Sequence, residues 1–158
     1  MKTEFIPKKE FMLLALTLAE EAAQDGEVPV GAVVELNGRI IGTGRNRREK
    51  AGSALGHAEI EAIHAACKAL GGWRLTGANL YVTLEPCPMC AGAAVNSRIQ
   101  TVIFGAEDEK AGSCGTLVNL FALPYNHRPA IFRGFMESEA KKILRDFFAP
   151  LRNTRSPL

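Results

Sequence analysis

Two cysteines separated by two residues, Cys87 and Cys90, stand in the run Leu84-Glu85-Pro86-Cys87-Pro88-Met89-Cys90, with His57-Ala58-Glu59 about thirty residues earlier. Thiolates at that spacing can both face one metal ion, and His57 supplies a third donor of the kind zinc accepts. Structural zinc normally closes its tetrahedron with four protein ligands, whereas catalytic zinc keeps one position open for water. No fourth ligand stands out in the sequence. Glu59 instead follows the histidine by two residues, which suits a carboxylate that moves protons on a metal's water rather than one that binds the metal. The composite points to a hydrolytic zinc site. A structural zinc staple or a redox dithiol would also contain Cys-x-x-Cys, but a dithiol explains neither His57 nor Glu59.

The elements around these residues must bring them together. Residues 58–70 carry Ile60, Ile63, Cys67 and Leu70 at helical spacing, so His57 and Glu59 fall at the start of a helix. Deep inside a helix, side chains two residues apart point about 200° from one another and could not share one water; at a cap they converge. His64, two turns along, is expected to be packed or exposed rather than a ligand. Residues 79–84 read as a buried strand, and Pro86 and Pro88 turn the chain into a helix over 88–96. The thiolates then lie at a helix N-terminus, whose dipole favours thiolate over thiol.

The remaining pattern is of helices alternating with apolar strands. Phe11, Leu14, Ala15, Leu18, Ala19 and Ala22 predict a helix over 8–24, and residues 28–36 and 39–44 flank Asn37-Gly38 as a β-hairpin. A basic loop follows at 45–53. A strand is expected at 101–104, a glycine-rich polar loop at 105–115, a short helical segment at 116–123, a last strand at 130–133, and an amphipathic helix marked by Met136, Ala140, Ile143, Leu144, Phe147, Phe148 and Leu151. Residues 152–158 form a basic tail expected to be loose. The fold class is α/β, with flanking helices on a roughly five-stranded sheet.

Length and composition set bounds on this reading. At 158 residues and 47% hydrophobic, the chain suits a single domain, residues 1–158. No apolar run reaches membrane-spanning length and no signal-peptide core opens the chain, so a cytoplasmic protein without membrane contact is expected. Cys67 and Cys114 are left as free thiols, which fits a reducing compartment. A net charge of +2 does not by itself argue for nucleic acid, and any such case rests on local clusters.

His57-Ala58-Glu59 with Pro86-Cys87-Pro88-Met89-Cys90 has the form His-x-Glu … Pro-Cys-x-x-Cys, the signature of the zinc deaminases. The likeness extends to Val28-Pro29-Val30-Gly31-Ala32-Val33, Gly44-Arg45-Asn46-Arg47, Leu80-Tyr81-Val82-Thr83-Leu84, Phe104-Gly105-Ala106, Asn126-His127-Arg128 and Asp146-Phe147-Phe148. Over about residues 8–152 the chain resembles the bacterial tRNA-specific adenosine deaminases. The resemblance implies a three-layer cytidine-deaminase-like fold with a mixed sheet, a homodimer, one Zn2+ per subunit, and conversion of adenosine to inosine at the first anticodon position of a tRNA. It makes His57, Cys87 and Cys90 the metal ligands and Glu59 the proton carrier. It also implies that Asn46 hydrogen-bonds the extruded base in a pocket lined by Val30 and Ala58, and that Asp108, Lys110, Asn126, Phe148 and Arg152 meet the anticodon stem-loop. Gly56 departs from the family, which often has alanine there.

The RNA contacts have plainer readings beside them. Asn46 could be a turn residue, Phe147 or Phe148 core, and Arg45, Arg47, Arg48, Lys50, Lys141, Lys142 and Arg145 solvated surface. Two rival functions also fit parts of the pattern. One is a deaminase of a free base, nucleoside or nucleotide; the other is a non-enzymatic zinc-stabilised RNA-binding module, against which Glu59 counts.

Overall fold

A computed structural model of the chain describes residues 4–152. Helices α1 (Lys9–Gln24), α2 (Ala58–Leu70), α3 (Pro88–Asn96) and α4 (Glu137–Arg152) surround strands β1 (Gly31–Leu36), β2 (Arg39–Arg45), β3 (Asn79–Leu84), β4 (Thr101–Ala106) and β5 (Ala130–Phe132). The sheet runs in the order β2-β1-β3-β4-β5. β1 is antiparallel to both β2 and β3, while β3, β4 and β5 are mutually parallel neighbours, so the sheet is mixed.

Side-chain alternation along the strands divides the core into two layers. Val33, Tyr81 and Ile103, cross-strand partners in register, face α1 and α4 and pack with Phe11, Met12 and Ala140. Their neighbours Ala32, Val34, Leu80, Val82, Val102 and Phe104 face α2 and α3 and pack with Ala62, Ala66, Ala91 and Ala94. The hairpin turn at Asn37-Gly38 has φ of 52° and 82°, the paired positive values that a two-residue turn matching strand twist requires. No described helix is long and apolar enough to cross a membrane.

α2, β3 and α3 have the limits their sequence punctuation predicts. Three expectations are revised. The stripe Ile60, Ile63, Cys67 and Leu70 is not the buried face of α2; that face is Ala58, Glu59, Ala62, Ile63 and Ala66, and Leu70 is exposed. The reason lies in β2, where a Cβ at Gly42 would collide with the Ala62 carbonyl and one at Gly44 with the Ala58 carbonyl. Helix and strand backbones approach so closely that only small residues fit between them. Residues 28–30 precede β1 instead of belonging to it, consistent with Pro29 having no ladder donor. Of the segment 116–123, only Leu120–Ala122 is helical, a single 3-10 turn capped by Asn119, whose Oδ1 accepts from the Phe121 N–H at 3.0 Å. The expected loose tail lies outside the described residues except for Arg152, which ends α4.

The close seam between β2 and α2 gives a direct test. Gly44→Val should destabilise the protein by at least ~1–3 kcal/mol, since overpacking a rigid contact forces backbone shifts. Urea unfolding midpoints would measure this, and a variant as stable as the parent would disprove the seam.

Candidate metal and catalytic centre

The centre is built from the N-termini of two helices on one face of the sheet. His57 occupies the N-cap of α2 and Cys87 the N-cap of α3, both with extended backbone (φ −91°, ψ 147° and φ −72°, ψ 175°), and Pro88 opens α3. Because a cap residue has left the helical path, His57 and Glu59 point to a common region despite their two-residue spacing. Cys90, one turn into α3, is fully buried.

Nδ1 of His57 lies 3.6 Å from Sγ of Cys87 and 3.5 Å from Sγ of Cys90, and the three ligand atoms all fall within 4.8 Å of one another. Zinc bound at normal Zn–N and Zn–S lengths in a tetrahedron would place N and S ligands ~3.6 Å apart, so the donor set fits that ion in both chemistry and size. The cluster contains three protein donors among the described residues, leaving a fourth tetrahedral position for another group.

Electrostatics separate the roles of these groups. The Cys87 thiol is pulled down to about 4 by its hydrogen bonds with Cys90 and His57 and by the backbone N–H of Cys90 at the helix end. Cys90 is pushed up by sharing that proton and by burial, and His57 is raised by its bond to Cys87. Glu59 is 4% exposed, and burial, opposed by a backbone hydrogen bond, pushes its carboxyl up to about 7. A carboxyl near neutrality can both accept and release a proton.

Beside the cluster is a cavity of about 200 Å³ whose lining includes Val30, Asn46, His57, Ala58, Glu59 and Cys87. It shares Val28, Arg48, Leu84 and Asp108 with a broader groove of about 800 Å³, which is also lined by Lys110, Phe148 and Arg152. Asn46 is held on both sides: Nδ2 donates to the Val28 carbonyl at 3.1 Å, and Oδ1 accepts from the Arg48 N–H at 3.1 Å. Asp108 caps its own loop, with Oδ1 accepting from the N–H groups of Lys110 and Ala111. Phe148 is 36% exposed and stands edge-on to Phe147. Asn126 sits in the exposed turn before β5 and lines neither cavity. His64 is exposed on α2, away from the cluster.

The MafB19-like deaminase family matches residues 6–152. A tRNA-specific adenosine deaminase of Bacillus subtilis is 49% identical over 92% of this chain and 91% of its own. One from Agrobacterium fabrum is 46% identical over 92% of this chain and 96% of its own. The chain belongs to the tRNA-specific adenosine deaminase family. A solved structure from work on A-to-I editing by tRNA:A34 deaminases at the wobble position superposes with a TM-score of 0.84, at 46% identity over 87% of this chain and 100% of that one.

Within this deaminase fold, two buried carboxylates shape the mouth of the pocket, and neither belongs to the sequence-predicted site. Glu27 is 2% exposed and accepts from the N–H groups of Glu49 and Lys50, fixing the loop that bears Asn46 and Arg48. Glu85, equally buried, accepts from the N–H groups of Asp108, Cys114 and Thr116 and from the Thr116 hydroxyl, fixing the loop that bears Asp108 and Lys110. Their one sequence signal is a carboxylate abutting an apolar strand, at Glu27-Val28 and Leu84-Glu85.

Proposed function

We propose that the chain is a zinc-dependent hydrolase, a single deaminase domain that converts adenosine to inosine at the first anticodon position of tRNA. The observation that carries this reading is a small pocket, with buried Glu59 beside a three-donor cluster, opening directly into a wide groove with cationic and aromatic side chains. The pocket suits one extruded base, and the groove suits the strand on either side of it. A deaminase of free nucleosides has no use for the groove.

His57, Cys87 and Cys90 would hold one Zn2+, which when bound lowers the pKa of water toward ~7. Glu59 accepts a proton from the water that attacks C6 of adenine, delivers one to N1, and then protonates the departing amine. Adenosine and water give inosine and ammonia. Asn46 and Val30 orient the base, with Ala58 at the pocket wall. Lys110, Phe148 and Arg152 meet the RNA in the groove, together with Asp108; Asn126 joins them on the strength of the family resemblance. Exposed Leu117, Val118, Leu123 and Tyr125, in the segment that packs on α3, suit a homodimer face. A tRNA substrate and four unpaired cysteines suit the cytoplasm.

The test is inosine formation in a hairpin RNA carrying an anticodon-loop adenosine, compared with free adenosine at two salt levels. Lys110→Ala should weaken RNA binding and flatten the plot of log affinity against log salt by about 0.7. Phe148→Ala should cost ~1–3 kcal/mol as a lost stacking surface while leaving that slope in place. Faster, salt-insensitive turnover of a free nucleoside would replace this reading with the small-molecule one.

A further inference from the structure

The last residue of β2 and the loop that follows it carry four basic side chains, Arg45, Arg47, Arg48 and Lys50, and three of them are paired. Arg45 pairs with Glu21 and Asp25, Arg47 with Glu61 at 2.8 Å, and Lys50 with Asp25 at 3.9 Å. Among the described residues Arg48 has no acidic partner; it is exposed and lines both the inner pocket and the outer groove. Of the acids that line the groove with it, Glu107 pairs with Arg133 and Asp108 caps its own loop through Oδ1, leaving Glu109; of those in the inner pocket, Glu85 is held by the loop that bears Asp108 and Glu59 is the buried carboxyl beside the cluster.

The backbone of Arg48 is fixed, while among the described residues its side chain makes no hydrogen bond or ion pair. Its N–H donates to Asn46, its carbonyl accepts from Ser53 at 3.1 Å, and the next two N–H groups are held by Glu27. Gly56, beside the metal-cluster histidine, lets this backbone come close: a Cβ there would lie 3.1 Å from both N and Cα of Arg48. An alanine at that position would require this backbone to give by a few tenths of an ångström.

An inner pocket of about 200 Å³ is smaller than ordinary ligand sites, so an RNA strand must leave it within one nucleotide, with its phosphates at the mouth. We propose that Arg48 grips a phosphate flanking the adenosine that enters the pocket, and so distinguishes a nucleotide held in an RNA strand from free adenosine. A planar guanidinium is suited to a two-point grip on phosphate. This assignment rests on the tRNA-deaminase reading and adds the residue that selects for a strand.

The test pairs Arg48→Gln and Arg48→Lys with hairpin RNAs in which the linkage on the 5′ or the 3′ side of the target adenosine is a neutral methylphosphonate. Arg48→Gln should raise KM for the unmodified hairpin about tenfold with kcat little changed, as expected for one lost charge-assisted contact. The slope of log affinity against log salt should fall by about 0.7. Arg48→Lys should recover part of both. One of the two neutral linkages should cost the parent enzyme the same factor and cost Arg48→Gln nothing, a pattern that a merely structural loop residue would not produce. Unchanged KM and slope in Arg48→Gln, or losses that multiply at both linkages, would overturn the assignment. A parent enzyme that leaves the unmodified hairpin unconverted overturns the tRNA-deaminase reading and this assignment with it.

Discussion

Glu59→Ala should lose turnover by more than the ~10²–10⁴-fold that one positioned acid or base supplies, because a single carboxylate serves three successive proton transfers. Zinc content and RNA affinity should persist, since Glu59 lies outside the three-donor cluster. The fold should persist as well. Glu59 is buried at the second position of α2, where its charge is disfavoured, and an alanine there would match the Ala62 and Ala66 that already face β2. The informative measurement is single-turnover conversion of the hairpin at saturating enzyme, which removes binding from the comparison. Near-normal turnover would reduce Glu59 to a structural acid, whereas full zinc with no turnover in the parent protein would favour the reading of a zinc-stabilised RNA-binding module.

The sequence displays the three-donor cluster His57, Cys87 and Cys90, with Glu59 beside it, because those positions depend on local geometry. A cap residue, a proline at the first helical position and a two-residue spacing are all visible within one turn of chain. The limits of α2, β3 and α3 are legible for the same reason. What hydropathy misplaces is the buried face of α2, because a residue scale ranks Leu70 above Ala66 without knowing that the opposing strand is glycine at 42 and 44. The basic loop 45–53 reads as one cationic cluster, yet the acids that neutralise Arg45, Arg47 and Lys50 come from α1, its C-cap Asp25 and α2 through tertiary packing. Glu27 and Glu85 escape notice for a similar reason. Their partners lie 22 to 31 residues away, and a buried carboxylate in a sequence looks like any other surface acid until those donors are placed.

Cys87→Ala, Cys90→Ala or His57→Ala should each lose bound zinc and activity together, with thermal stability falling as well. The three donors tie the N-terminus of α2 to that of α3, and an ion that binds the folded chain adds its binding free energy to folding. Chelation should therefore lower the melting temperature of the parent protein, while the Cys87→Ala variant should show no further drop on chelation. Cys67→Ala is the matched control. Its sulfur faces the Trp73 carbonyl at 3.9 Å, nine residues along α2 from Ala58 or ~14 Å at helical rise, so zinc content should stay at one ion per chain. Elemental analysis decides between the alternatives. Full zinc in Cys87→Ala would remove that residue from the ligand set, and loss of zinc in Cys67→Ala would mean that the metal lies elsewhere in the fold.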